Sequence, residues 1–121
     1  MSDHQLTIYG IPNCDTCRKA RRWLVDRDIE YRFHDVREDG LELADLERWM
    51  RLVDWNKLLN TRSTTWRSLD PANRGDLSRE DASTLILEHP TLLKRPVAEQ
   101  GDTVLVGFSE ESYRALSQSG R

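Results

Sequence analysis

Hydrophobic and polar positions change period several times along this chain, and each change predicts an element. Between Gln5 and Tyr9, Leu6 and Ile8 fall on one face and Thr7 and Tyr9 on the other, the alternation of a half-buried strand. Gly10-Ile11-Pro12-Asn13 is turn chemistry and ends it. From Asp15 onward Ala20, Trp23 and Leu24 recur at helical spacing while Arg18, Lys19, Arg21 and Arg22 take the other faces. That pattern predicts an amphipathic helix ending near Asp28. Alternation returns over Tyr31–Val36, and two strands separated by one helix have the spacing of a parallel βαβ unit.

The middle of the chain is helical in pattern. Leu43, Leu46, Trp49, Met50 and Val53 recur with helical period, and a short segment follows over Trp55–Leu59. Residues 60–75 read as polar turn. Ser78-Arg79-Glu80-Asp81 resembles a capping box with Asp in the last place, and Ala82, Leu85 and Ile86 behind it form an apolar stripe that Pro90 stops. Arg95-Pro96-Val97 and Thr103-Val104-Leu105-Val106 are extended segments around Gly101-Asp102, which predicts a hairpin. Ser109 then caps a last helix carrying Tyr113 and Leu116, and residues 117–121 are expected to fray. The order is β-α-β, a helical insert over about 40–93, then β-β-α: one α/β domain spanning 1–121.

Composition narrows the possible roles. The 121 residues are 37% hydrophobic and include four Trp, enough for one core, to which Trp23, Trp49, Trp55 and Trp66 are assigned. The 18 basic and 21 acidic residues are interspersed and leave a net charge of −3, so no field of one sign draws in nucleic acid or an anionic bilayer. The longest apolar runs, such as Val104-Leu105-Val106, fall far below the ~20 residues of a spanning helix, and no membrane association is expected. Met1-Ser2-Asp3-His4-Gln5 has neither the basic nor the apolar region of a secretion signal, so the expected location is cytoplasmic.

The two cysteines, Cys14 and Cys17, close too short a loop to staple a scaffold, and in a reducing compartment such a pair means redox chemistry or a metal. A zinc site lacks a second cysteine pair, and His4, His34 and His89 are scattered, so no metal is expected. Cys14 sits where the first strand meets the first helix. Free N–H groups and the helix dipole there favour thiolate, which makes Cys14 the candidate nucleophile. Cys17, one turn further in, is either the resolving thiol or a plain buried helix residue. Arg18, Arg62 and Arg95 are candidate guanidiniums for a thiolate or an oxyanion. Arg95 stands out because it precedes Pro96, and X-Pro bonds are where cis peptides occur.

Ile8 to Ala20, with Cys14-Asp15-Thr16-Cys17 at its centre, resembles the opening of the arsenate reductase (ArsC) family in its Spx/YffB branch. The resemblance continues through Tyr31-Arg32-Phe33-His34-Asp35, Leu58-Leu59-Asn60-Thr61-Arg62, Thr65-Trp66-Arg67, Leu93-Lys94-Arg95-Pro96 and Leu105-Val106-Gly107-Phe108-Ser109. It implies a thioredoxin-like fold with a helical insertion and a thiol-disulfide oxidoreductase of the glutathione-dependent, arsenate-reductase type. Carried over, Cys14 is the nucleophile, Arg95 holds oxyanion or thiolate, and Arg62 binds substrate; Arg18 and Pro96, beside the cysteines and Arg95 in the sequence, are the further candidates for substrate binding. A family arginine after the last strand has no counterpart, since Val106-Gly107-Phe108 occupies its place. The implied co-substrate is glutathione, with no tightly bound cofactor, and glutaredoxin or thioredoxin is the implied electron donor. The Spx side of the branch implies instead a redox-sensing transcription regulator that binds the carboxy-terminal domain of the RNA polymerase α subunit.

Overall fold

An interior strand organises the sheet. In the computed structural model, which describes residues 5–69 and 77–116, β1 (Thr7–Gly10) pairs in parallel with β2 (Arg32–Asp35) and antiparallel with β3 (Val97–Gln100). Adding β4 (Thr103–Val106) gives one four-stranded sheet in the order β2-β1-β3-β4. The chain divides into two compact units: one formed up to Asp39 and from Arg95 onward, the other spanning Gly40–Lys94. The second matches the helical insert expected over about 40–93.

Within the first unit the sequence dictates the elements closely. Leu6 and Ile8 are fully buried, as their alternation requires. Tyr9, placed on the polar face by that alternation, is buried as well. Part of its cover is its cross-strand partner His34, whose ring lies 4.9 Å from that of Tyr9. Helix α1 (Asp15–Asp26) buries Cys17, Ala20, Trp23 and Leu24 on one stripe. It ends in a Schellman arrangement: the Asp28 and Ile29 amides donate to the Val25 and Leu24 carbonyls at 3.1 and 2.9 Å, with Asp28 in the left-handed region at φ 56°.

The β3–β4 hairpin turns through Gly101-Asp102. Gly101, at φ 59°, supplies the left-handed position that a two-residue loop needs. Ser109 caps the short α-helix Glu110–Tyr113, its hydroxyl accepting the Ser112 N–H at 3.1 Å. Leu6, Ile8, Ala20, Trp23, Leu24, Ala98, Tyr113 and Leu116 form the core of this unit, with Ile29, Phe33 and Phe108 packed against it.

The insert contains α2 (Leu43–Met50), a 3₁₀ turn at Trp55–Leu58, α3 (Thr64–Ser68), α4 (Arg79–Glu88) and a second 3₁₀ turn at Pro90–Leu92; the carboxy-terminal helix Glu110–Tyr113 is α5. The capping box forms as its sequence predicts, with Ser78 Oγ accepting from the Asp81 amide and the Asp81 carboxylate from the Ser78 amide, each at 3.1 Å. Leu46, Trp49, Met50, Leu58, Ala82, Ile86 and Leu92 are buried.

The turn-rich reading of residues 60–75 missed α3, whose N-cap Ser63 accepts from the Trp66 amide at 3.1 Å. Trp55 and Trp66 are half-buried rather than core residues, because both stand on single-turn elements that have no inner face. Leu43, counted in the apolar stripe, is 47% exposed at the first position of α2. Residues 70–76 of the turn-rich stretch, His4 and the tail at 117–121 lie outside the described residues. Among those described, no helix is long and apolar enough to cross a membrane.

Candidate functional site

The site begins where β1 hands over to α1. Cys14 is the N-cap residue of α1, extended at φ −99° and ψ 125°, with its amide bonded to the Ile11 carbonyl at 3.3 Å and its own carbonyl opening the helix to the Arg18 amide at 2.9 Å. Its side chain is partly exposed, whereas Cys17, one turn later, is fully buried. Both thiols are free.

The two sulfurs experience opposite electrostatics. For Cys14, burial is the largest influence and opposes ionisation, but it is outweighed by a hydrogen bond from the Cys17 backbone, another from the Cys17 thiol, and the charge and hydrogen bond of Arg95. The thiol is therefore held below its ordinary value. The sulfur closes no strict capping bond, yet the Cys17 amide faces it closely enough to favour thiolate. For Cys17, burial again leads and raises the value; the charge and hydrogen bond of Cys14 add to it, and a backbone hydrogen bond from Ile11 and the charge of Arg95 only partly offset them. The result is a thiol pushed up to about 12. Cys14 is thus the more readily ionised thiol of the pair, and Cys17 the one that holds its proton.

Arg95 reaches this site because β3 pairs with β1, setting the residue two before Val97 beside the end of the first strand. The Arg95–Pro96 peptide is cis, and Pro96 is buried with its carbonyl accepting the Gly107 amide at 2.8 Å. Arg18 pairs instead with Asp15 at 2.9 Å on the exposed side of α1. Arg62 belongs to the other unit, is exposed, and has its amide bonded to Asn60 Oδ1 at 3.1 Å. Among the described residues no group of three or more His, Cys, Asp and Glu is placed to hold a metal.

Two residues of the site escaped the sequence reading. The sequence marks Gly10 only as a turn residue, but a Cβ built on it would lie 2.5 Å from the Cys17 sulfur, so this thiol occupies the space of a missing side chain. Tyr113 was read as a helix core residue, and its phenol feels the charge of Cys17. The glycine directly before the Ile-Pro-Asn-Cys turn was the available signal for the first. Nothing local marks the second.

Comparison with known proteins adds relatives of nearly equal length. A model described as "ArsC family" matches residues 9–116. An uncharacterized protein of Haemophilus influenzae is 46% identical over 91% of this chain and 96% of its own length. "Global transcriptional regulator Spx 2" of Bacillus cereus is 32% identical over 88% of this chain and 82% of its own length. The solved structure of a YFFB protein superposes with a TM-score of 0.88 at 41% identity, covering 92% of this chain and 97% of that one.

Proposed function

The chain belongs to the ArsC family, and on that premise we propose that it is a thiol-disulfide oxidoreductase in which Cys14 is the nucleophile, Cys17 the resolving thiol and glutathione the co-substrate. One observation carries the reading. Two cysteines a single turn apart are shifted in opposite directions, Cys14 below its ordinary value and Cys17 up to about 12. A ready thiolate beside a protonated reserve thiol is the division of labour that stepwise disulfide exchange requires.

In this reading Cys14 thiolate attacks one sulfur of a substrate disulfide, forming a Cys14 mixed disulfide and expelling the other half as a thiolate, which takes up a proton. Arg95 steadies the negative charge on Cys14 beforehand. Cys17, having lost its proton, then attacks the Cys14 sulfur, and the second half leaves and is protonated. The Cys14–Cys17 disulfide that results is reduced by two equivalents of glutathione, or by glutaredoxin or thioredoxin as electron donor. Arg18, Arg62 and Pro96 are proposed to meet the substrate.

The test couples NADPH oxidation to glutathione, glutathione reductase and glutaredoxin over a panel of disulfides and arsenate. Turnover is expected to vanish in Cys14→Ser. Survival in Cys17→Ser would assign resolution to glutathione. No turnover above the Cys14→Ser background on any substrate contradicts the enzymatic reading.

A second reading has its own support in the Spx relatives, named as transcriptional regulators and matched over most of both chains. In this reading the Cys14–Cys17 pair would be a redox switch governing binding to the RNA polymerase α subunit. Capture of that subunit dependent on the oxidised pair favours it, and failure in both redox states excludes it.

A further inference from the structure

Within the unit Gly40–Lys94, a groove of about 660 Å³ runs between α2 and α4. Helical spacing builds its walls: Leu43, Glu47 and Met50 recur at i, i+4 and i+7 on α2, and Arg79, Ser83 and Leu87 at i, i+4 and i+8 on α4. Met50 and Ser83 are buried, the Met50 sulfur 3.6 Å from the Ser83 oxygen, while Leu43 is 47% exposed. The hydroxyls here offer a small polar ligand little to hold. Ser83 donates to the Arg79 carbonyl and Thr84 to the Glu80 carbonyl, each at 3.1 Å, so both are spent on their own helix. The charges lining the groove are unspent. None of the side chains of Glu47, Arg51, Arg79 and Glu80 is bonded or paired among the described residues. Glu47 and Arg51 have the i, i+4 spacing at which a helix pairs opposite charges, as Asp45 and Arg48 do at i, i+3 and 3.0 Å, yet they stay apart.

We propose that the α2–α4 groove docks a second copy of this chain about a two-fold axis. Charge complementarity selects that occupant. A surface with two acidic and two basic side chains around an apolar floor is its own complement, whereas a partner carrying one sign of charge would be repelled by half of it. When two copies of α2 lie antiparallel, with the axis level with the midpoint between positions 47 and 51, Glu47 of each copy faces Arg51 of the other, and the contact is made twice. Arg79 and Glu80, adjacent in the first turn of α4, add one charge of each sign to the other wall. Leu43 brings exposed apolar surface to the same face, and pairing removes it from water. Exposed charge pairs give register more than strength, so the dimer is reversible and sensitive to salt.

Sedimentation equilibrium of the full chain, over a range of protein and salt concentrations, is the test. The native chain should pass reversibly from monomer to dimer, and added salt should favour monomer. Arg51→Glu and Glu47→Arg should each weaken association by about tenfold, since one substitution turns two attractive contacts into repulsive ones. The chain carrying both substitutions should recover the native constant, because only a partner that bears the same exchange can repair it. Leu43→Asp should weaken association as well, and an acidic residue in the first turn leaves α2 intact. All three side chains are exposed, so far-UV circular dichroism of each variant in dilute solution should match the native chain. A chain monomeric at every concentration leaves the groove to a partner of other sequence and overturns the proposal. A dimer that the single variants do not weaken, or a double variant that associates no better than they do, overturns it equally.

Discussion

The Cys17 sulfur lies over Gly10 so closely that a Cβ on that glycine would stand 2.5 Å from it. Gly10 is not in the left-handed region, so the requirement is for space and not for backbone freedom. Gly10→Ala is expected to cost about 1–3 kcal/mol, the range for an overpacked core, because the neighbour it strikes sits on a helix stripe with no exposure. Urea unfolding of the reduced protein measures it. A midpoint equal to the native one would show that Cys17 yields freely.

Among the described residues, Arg95 is the one cation that acts on the Cys14 thiol. Replacing it by Leu removes a charge and a hydrogen bond, so the Cys14 value should rise. Alkylation at neutral pH should slow by about tenfold, as for one charge-assisted bond. Thiolate absorbance at 240 nm against pH reads the shift directly. Arg18→Leu is the comparison, and since Arg18 is spent on Asp15 at the surface it should move the curve far less.

The pair also sets the pH dependence of stability. Cys14 has a folded value below its ordinary 9.0, so the native state sheds that proton first and stability gained from it rises with pH up to about 9. Cys17 behaves oppositely: between its ordinary 9.0 and about 12 the unfolded chain is ionised while the native one keeps its proton. Stability therefore falls through that window, by at most ~1.4 kcal/mol per pH unit for one group. The buried Tyr113, raised from 10.0, steepens the fall above 10. Melting temperature against pH should peak near 9, and Cys17→Ala should flatten the alkaline limb. A limb unchanged in that variant would contradict the assignment.

Asp28 closes α1 at φ 56°, a position that costs a residue with a Cβ roughly 1 kcal/mol. Asp28→Gly should stabilise the fold by up to about that amount without touching the thiols. Thermal unfolding decides it, and a loss of stability would mean that the Asp28 side chain itself holds the turn.

Elements with a single dominant period were legible from residues alone: α1 through Ala20, Trp23 and Leu24, the hairpin through Gly101-Asp102, the start of α4 through Ser78 and Asp81. The parallel pairing of β1 with β2 followed from one intervening helix. What residues could not show was the partner on β1's other edge. That pairing carries Arg95 some eighty positions along the chain to Cys14. The asymmetry of the cysteines was readable from the helix start, but its agents were not. Gly10 acts by having no side chain, and Arg95 arrives only through the pairing of β3 with β1. Arg18 looked closest in sequence, yet an i, i+3 neighbour, Asp15, claims it. The short α3 escaped because five residues are too few to display a period.

This fold divides one thiol pair into a readily ionised Cys14 and a reserve thiol at Cys17. Iodoacetamide labelling across pH, with each cysteine followed separately by mass spectrometry, tests it most directly. Cys14 should be labelled with a midpoint below 9.0 while Cys17 stays unlabelled until strongly alkaline pH. Two cysteines labelled at similar rates, with ordinary midpoints, would contradict it.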